Sequence, residues 1–406
     1  MRTLPNRISH RLALLVAAAV TVVAVSSNNA TLSQAPDACV KYAGNPVLTP
    51  GPAGSWDQGA IGRESVYFNG SAYNMWYTAF STTLAIGFAS SKDGVHWTKY
   101  PSPVLKAGPS GSWDSGGVEA PSVVWNGTLF LMYYTGSNGT LASDIGVAFS
   151  RDMIHWQKYS GNPVVRHGPG SYDSFYAKYS DVIYDTPLYK MWYTARASAG
   201  PVNGTLYTIA YATSTDGLRW TKYAGNPVIT PNISSRKNFY IAAKYPHVLK
   251  VDGLYLMVLL FTDGADTISL AVSTDGVSWN STGTSLLSNT NNPLDWDYVP
   301  YYPSAILNGT TLLVWYSGRT NTSPTPPPSV GLAYCSLILA RTTVSITTAV
   351  TVTRINSTTI PTPERVPISE PPVYRVMSTV LAVTSGVLVI LLLEERARHG
   401  RKSAHS

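Results

Sequence analysis

A seven-residue phrase recurs four times in this chain, about sixty residues apart: Ser91-Lys-Asp93-Gly94-Val-His-Trp97, Ser150-Arg-Asp152-Met-Ile-His-Trp156, Ser214-Thr-Asp216-Gly217-Leu-Arg-Trp220 and Ser273-Thr-Asp275-Gly276-Val-Ser-Trp279. Upstream of it lies an apolar run such as Tyr73-Asn-Met-Trp-Tyr77, Leu131-Met-Tyr-Tyr134 or Tyr189-Lys-Met-Trp-Tyr193. Downstream comes Lys-Tyr-x-Gly-Asn-Pro-Val, at 158–164 and 222–228. A repeat of this period, made of short strands, cannot bury its apolar faces alone and must stack on its copies. The expected fold is all-β, a single closed β-propeller.

Alignment on the Met-Trp-Tyr run gives five units, starting near residues 45, 102, 162, 226 and 285. Each should hold four strands, the innermost being the run that contains Ser65, Ser122, Asp181, His247 or Ser304. In the seven-residue phrase, Asp and Gly suit a tight turn and Trp packs between sheets, so Asp93, Asp152, Asp216 and Asp275 read as structural. The repeated pairs Trp56-Asp57, Trp113-Asp114, Tyr172-Asp173 and Trp296-Asp297 read the same way. The fifth unit stops after its third strand. Its fourth strand is supplied from the front of the chain, where Cys39-Val-Lys41-Tyr42-Ala-Gly-Asn-Pro-Val47 repeats the fourth-strand phrase. Cys39 and Cys335, the two cysteines, fall on either side of what is a short turn elsewhere, so they should form a disulfide that closes the ring.

The chain ends predict targeting. Arg2, Arg7 and Arg11 precede the apolar run 12–25, which reads as a signal peptide within residues 1–30. The propeller should span 38–340, a Thr/Ser/Pro-rich stalk 341–375, an uncharged transmembrane helix 376–393, and a basic cytoplasmic tail 394–406. These segments predict a cell-surface, single-pass membrane protein with an extracellular propeller. The formal net charge of +7 is a property of the ends: over 31–340, Lys plus Arg and Asp plus Glu balance at 18 each. A phosphate-backbone grip needs a basic face, which excludes nucleic acid as a partner. Asn-x-Ser/Thr sequons are frequent (among them Asn69, Asn126, Asn138, Asn203, Asn232, Asn280, Asn308, Asn321 and Asn356); they suit a glycosylated exported chain, and several equally suit hairpin turns.

In a propeller the first residues of the inner strands face the mouth of a central funnel, and unrepeated residues there are the informative ones. Three before the Ser122 position the units carry Gly62, Glu119, Lys178, Lys244 and Tyr301, followed by Arg63-Glu64, Ala120-Pro121, Tyr179-Ser180, Tyr245-Pro246 and Tyr302-Pro303. Carboxylates, cations and aromatic rings together suit a sugar: acid/base groups for the glycosidic bond, rings for stacking, and Arg63, Lys178, Tyr179, Lys244, His247 and Tyr301 for substrate binding.

The inner-strand Pro-Ser-Val, the Met-Trp-Tyr strand, the Ser-x-Asp-Gly-x-x-Trp phrase and the Asn-Pro-Val link resemble the five-bladed propellers of the arabinanase, levansucrase and invertase superfamily of glycoside hydrolases. The resemblance covers residues 40–340. It implies that Glu119, in a Glu-x-Pro context, is the general acid, Glu64 the base or nucleophile, and Asp181 the group that tunes the acid. The first-blade Asp of that superfamily is absent, and Lys178 and Lys244 stand where a Glu could have been. The expected activity is therefore glycosidic-bond cleavage of an oligo- or polysaccharide by a monomer. The alternatives are a non-catalytic carbohydrate-binding or surface-layer-associated propeller, and a phosphorolytic relative in which Arg63, Lys178 and Lys244 receive phosphate. No Cys or His cluster has metal spacing and no calcium-loop pattern occurs, so neither cofactor nor metal is expected.

Overall fold

A computed structural model of the protein describes residues 27–34, 39–140, 142–168, 172–197, 206–231, 241–263, 265–321, 327–344, 375–384 and 387–396. Residues 1–26 of the expected leader, 345–374 of the stalk, 397–406 of the tail and the sequons at Asn203, Asn232 and Asn356 lie outside the described residues. The described residues form strands, bridges and turns and contain no helix.

Five groups of four antiparallel strands follow one another. The first strands are Ala60–Phe68, Gly117–Trp125, Tyr176–Asp185, Ile241–Val251 and Val299–Asn308. They pair with Tyr73–Phe80, Phe130–Ser137, Leu188–Arg196, Leu254–Asp263 and Thr311–Arg319. Third strands are Leu84–Ser91, Asp144–Ser150, Leu206–Ser214, Asp266–Ser273 and Ser329–Ser336. Fourth strands are Thr98–Lys99, Gln157–Lys158, Thr221–Lys222, Asn280–Ser288 and, for the fifth group, Val40–Lys41 from the front of the chain. The first strands contact one another in ring order, the fifth meeting the first. Second strands are covered on both faces, which is why they read as continuous apolar runs: Met75, Trp76 and Tyr77 are all fully buried.

The repeated phrases stitch the units together. Within each seven-residue turn the serine hydroxyl accepts from the backbone two and three residues on, as Ser91 does from Asp93 and Gly94. The aspartate accepts from the amides two and three residues on, as Asp93 does from Val95 at 2.9 Å and His96 at 2.8 Å. A second-strand side chain of the neighbouring unit donates to the same turn: Trp76 to Met153 O, Tyr133 to Gly217 O, Trp192 to Gly276 O and Trp315 to Gly94 O. Asp57, Asp114, Asp173 and Asp297 are buried, pair with Lys99, Lys158, Lys222 and Lys41, and accept from Tyr77, Tyr134, Tyr193 and Tyr316.

Closure is made by backbone and covalent links. Val40 pairs with Tyr334 and Lys41 with Ala333, Asn45 exchanges two hydrogen bonds with the Leu332 backbone, and Cys39 and Cys335 form a disulfide. A further pairing, Ser27–Gln34 with Ile338–Val344, extends the sheet structure into segments the sequence analysis gave to leader and stalk.

The helix expected over 376–393 is not found there. Arg375–Thr384 and Val387–Arg396 pair as an antiparallel hairpin, and the run is rich in β-branched residues (Val376, Thr379, Val380, Val383, Val387, Ile390) that suit a pleated strand. No helix among the described residues is long and apolar enough to cross a membrane, which says nothing of crossing by strands.

Candidate functional site

Every inner strand breaks its ladder at one place. The register shifts between Gly62 and Ser65, Glu119 and Ser122, Lys178 and Asp181, Lys244 and His247, and Tyr301 and Ser304. At each bulge the first extra residue is left-handed: Arg63 (φ 53), Ala120 (51), Tyr179 (54), Tyr245 (57) and Tyr302 (50). Five non-glycine residues in a sterically disfavoured region, at one position of a repeat, need outside support. For four of the five it comes from hydroxyls on the preceding unit's second strand. Thr78 accepts from the Ala120 amide, Thr135 from Tyr179, Thr194 from Tyr245 and Ser317 from Arg63, all within 2.8–3.0 Å. The bulge turns these five side chains inward, where the rings of Tyr179, Tyr245 and Tyr302 pack on one another with Ala120. Arg63 lies on this plug, its guanidinium 5.1 Å from the Tyr302 ring and 5.9 Å from that of Tyr179.

The plug divides the expected site residues into two layers. On the mouth side are Arg63, Glu119, Lys178, Tyr179, Lys244 and Tyr301. Arg63 and Glu119 form an ion pair whose carboxylate side chain is 12% exposed. Lys178 sits 4.3 Å from the Tyr176 ring and 4.6 Å from Tyr179, and Lys244 sits 5.0 Å from Tyr207 and 5.1 Å from Tyr245. Burial lowers the proton affinity of both lysines, with neighbouring cations adding to it: Arg63 and Arg196 at Lys178, Arg319 and Lys178 at Lys244, which falls to about 8.

Beneath the plug lie Glu64, Asp181 and His247, bordering a small polar cavity of about 40 Å³. Glu64 accepts from Ser317 Oγ at 2.9 Å through one carboxylate oxygen, while the other is buried without a partner. Burial pushes its carboxyl up to about 8, so it holds a proton at neutral pH. Asp181 and His247 belong to a circuit of inter-unit staples. Ser304 accepts from Val66 N, Ser65 from Val123 N, Ser122 from Val182 N and Asp181 from Val248 N, and His247 Nε2 donates to Ala305 O. His247 Nδ1 lies 3.5 Å from Asp181 Oδ1. Despite burial, this carboxylate and the Ala305 carbonyl raise the imidazole's proton affinity.

Three mouth residues escaped the sequence analysis: Phe80, Arg196 and Arg319, the equivalent residues at the ends of three second strands. Arg196 is 4.5 Å from the Phe175 ring, and Arg319 is 5.9 Å from Tyr301. Their signal in the sequence is that the five equivalents Phe80, Ser137, Arg196, Thr262 and Arg319 do not repeat, a pattern that lies on the second strands and not on the inner ones. Among the described residues no group of three or more His, Cys, Asp or Glu is placed to hold a metal ion.

Residues 72–183 match a glycoside hydrolase family model described as β-1,4-mannooligosaccharide phosphorylase. An uncharacterized protein of Mycobacterium tuberculosis (strain ATCC 25618 / H37Rv) is 32% identical over 186 residues, covering 45% of this chain and 60% of that protein. The β-1,2-mannobiose phosphorylase of Thermoanaerobacter sp. (strain X514) is 25% identical over 135 residues, 29% of this chain and 44% of that enzyme. The chain thus spans 60% of the length of the first of these relatives and less of the second. Among solved structures, a thermostable family-43 glycoside hydrolase superposes with a TM-score of 0.56 at 18% identity, over 89% of this chain and 99% of that one. A structure from the GH130 family of mannoside phosphorylases, described as containing glycoside hydrolases that target β-1,2 mannosidic linkages in Candida mannan, gives 0.55 at 15% identity, over 76% and 96%. The protein therefore shares the propeller-like all-β fold of glycoside hydrolases, and over 72–183 it is similar to the mannooligosaccharide phosphorylase family.

Proposed function

We propose that this protein is a five-bladed propeller enzyme, of the same broad superfamily as the arabinanases, that breaks glycosidic bonds of mannose-containing oligosaccharides at the mouth of its ring. The observation that carries the reading is the Arg63–Glu119 pair, a partly exposed carboxylate close to Tyr179 and Lys178. In this reading Glu119 handles the proton of the glycosidic oxygen. Arg63, its ion-pair partner, is placed to turn to a substrate oxygen and free Glu119 for that role. Glu64 and Asp181 support it from beneath the plug.

The attacking group is the open half of the mechanism. Both hydrolytic routes use two carboxylates flanking the bond. Glu119 is the sole carboxylate among the five mouth positions; Arg63 pairs with it, Lys178 is close to it, and Lys244 is close to Lys178. This favours inorganic phosphate over water: a phosphate oxygen bonds to C1, the glycosidic C–O bond breaks, and the leaving oxygen takes the proton from Glu119. Incubation of the whole protein with β-1,4- and β-1,2-mannobiose, with and without phosphate, tests this. Mannose 1-phosphate formed only with phosphate supports phosphorolysis. Free mannose without phosphate supports hydrolysis, and binding without cleavage supports the carbohydrate-binding alternative. Glu119→Gln should lower either activity by about 10²–10⁴.

The proposal includes export and retention at the cell surface. It is supported by the basic and apolar segment 2–25, the disulfide, and the uncharged run 376–393 followed by Arg396, Arg398, Arg401 and Lys402. Truncation from residue 372 onward should release the protein from membranes; a truncated chain that stays bound would count against anchoring by the C-terminal segment.

A further inference from the structure

One sector of the mouth is built differently from the other four. Where the other units present Glu119, Lys178, Lys244 or Tyr301, the first presents Gly62, and a Cβ there would come within 2.5 Å of Ser317 Oγ. Beside this missing side chain a cavity of about 370 Å³ opens, with Arg63, Thr78 and Tyr301 supplying polar atoms and Phe80, Leu84 and Pro328 forming an apolar wall. Phe80 is 48% exposed, and its equivalents in the other units are Ser137, Arg196, Thr262 and Arg319. A half-exposed ring against a recess of this size, with a few polar groups at its base, is the form of a small-molecule site. A pyranose has one face of C–H bonds and a rim of hydroxyls, so it matches a flat ring on one side and hydrogen-bonding groups on the other.

We propose that this sector is a subsite for one neutral pyranose unit, stacked on Phe80 with its hydroxyls toward Arg63, Thr78 and Tyr301, and that Phe80 determines specificity for substrates long enough to fill it. The inference rests on the glycan-cleaving reading only in taking the ligand to be a sugar.

The test is calorimetric binding of β-1,4-mannotriose to the full chain carrying Glu119→Gln, alone and combined with Phe80→Ala, Phe80→Trp or Leu84→Trp. Phe80→Ala should weaken binding about tenfold, the size of one lost ring contact. Phe80→Trp should keep it within about threefold, and Leu84→Trp, which fills the recess, should abolish it with the melting temperature unchanged. Binding that is indifferent to Phe80→Ala, or no binding of the trisaccharide to the Glu119→Gln chain, overturns the subsite. A parallel cleavage assay on the chain with Glu119 intact separates the two ideas. Cleavage with Phe80-independent binding retains the enzymatic reading and rejects the subsite. Phe80-dependent binding without cleavage supports the subsite and rejects the enzyme.

Discussion

In the third unit Asp173 is fully buried, pairs with Lys222 at 2.5 Å and accepts from Tyr193 at 3.4 Å; in the fourth, Ser281 occupies the lysine-equivalent position and Leu259 the tyrosine-equivalent one. The third unit's fourth strand is the two-residue Thr221–Lys222, clipped by Asn226, which exchanges two hydrogen bonds with the Tyr211 backbone. The fourth unit instead runs Asn280–Ser288 for nine residues and buries Leu286 and Leu287. Its second and third strands join the largest apolar cluster of the ring, shared with the fifth unit and reaching Cys335. One strand plan is thus held by two chemistries. A buried ion pair fixes geometry at a desolvation cost, and apolar packing reaches similar stability without that constraint.

The comparison makes an unequal prediction. Asp173→Ala removes the carboxylate from Lys222 and Tyr193, leaving the ammonium on the carbonyls of Arg166 and Gly168, and should cost about 3 kcal/mol in chemical denaturation. Replacing Asp173, Lys222 and Tyr193 together by apolar residues should cost far less. Equal losses from the single and the triple replacement would break the comparison. Where the apolar cluster meets the chain closure, Cys39→Ala with Cys335→Ala opens a loop of 296 residues and should cost about 2–5 kcal/mol, a model-dependent figure. The loss should appear as fraying of Val40–Lys41 from Ser329–Ser336 in hydrogen exchange, with the fourth unit's strands unaffected.

The third prediction concerns Glu64, buried in the first unit without a cation. Its folded-state value of about 8 lies above the ordinary 4.5, so its contribution to stability is complete below pH 4.5 and is lost as the pH rises to about 8. Across that window the wild type should lose up to about 1.4 kcal/mol per pH unit relative to Glu64→Gln. The two proteins should melt alike near pH 4, and the variant should be a few kcal/mol more stable at pH 8. A gap that does not widen with pH would place Glu64 in contact with solvent or a cation.

The repeated residues were the readable part of the sequence. Four turn phrases and the Met-Trp-Tyr runs located the strands, and the Lys-Tyr-x-Gly-Asn-Pro-Val copy at 41–47 located the closing strand and its cysteine. The mouth was half readable. Glu119, Lys178 and Lys244 could be aligned because one residue per unit had to occupy that place. The bulge was hidden, because a register shift and a positive φ leave no composition behind them: Arg63, Ala120 and the three tyrosines share no chemistry. Without the bulge, Glu64 read as a neighbour of the mouth, whereas it lies beneath the plug. The segment 376–393 shows the opposite limit, since an uncharged apolar run before a basic tail fits a membrane helix by length and charge and a hairpin by its β-branched content.

The smallest effect tests the bulges through the same pair of units. Thr194, fully buried on the third unit's second strand, accepts from the Tyr245 amide at 3.0 Å and so holds Lys244 at the mouth. The fourth unit carries Leu260 at that place, buried to 2%, with no hydroxyl to offer the bulge at Tyr302. Thr194→Val keeps the shape and removes the acceptor, leaving a buried amide unpaired at a cost of about 1–3 kcal/mol. Thr194→Ser should restore it. Leu260→Thr should give no compensating gain, because the apolar surface it takes from the cluster with Leu256, Val258 and Leu270 outweighs one new hydrogen bond. Amide exchange at Tyr245 separates the outcomes, rising in Thr194→Val and returning to its original rate in Thr194→Ser. If Thr194→Val leaves both stability and exchange at Tyr245 unchanged, the hydroxyls do not hold the bulges. The inward turn of Tyr179, Tyr245 and Tyr302 would then rest on their mutual packing alone.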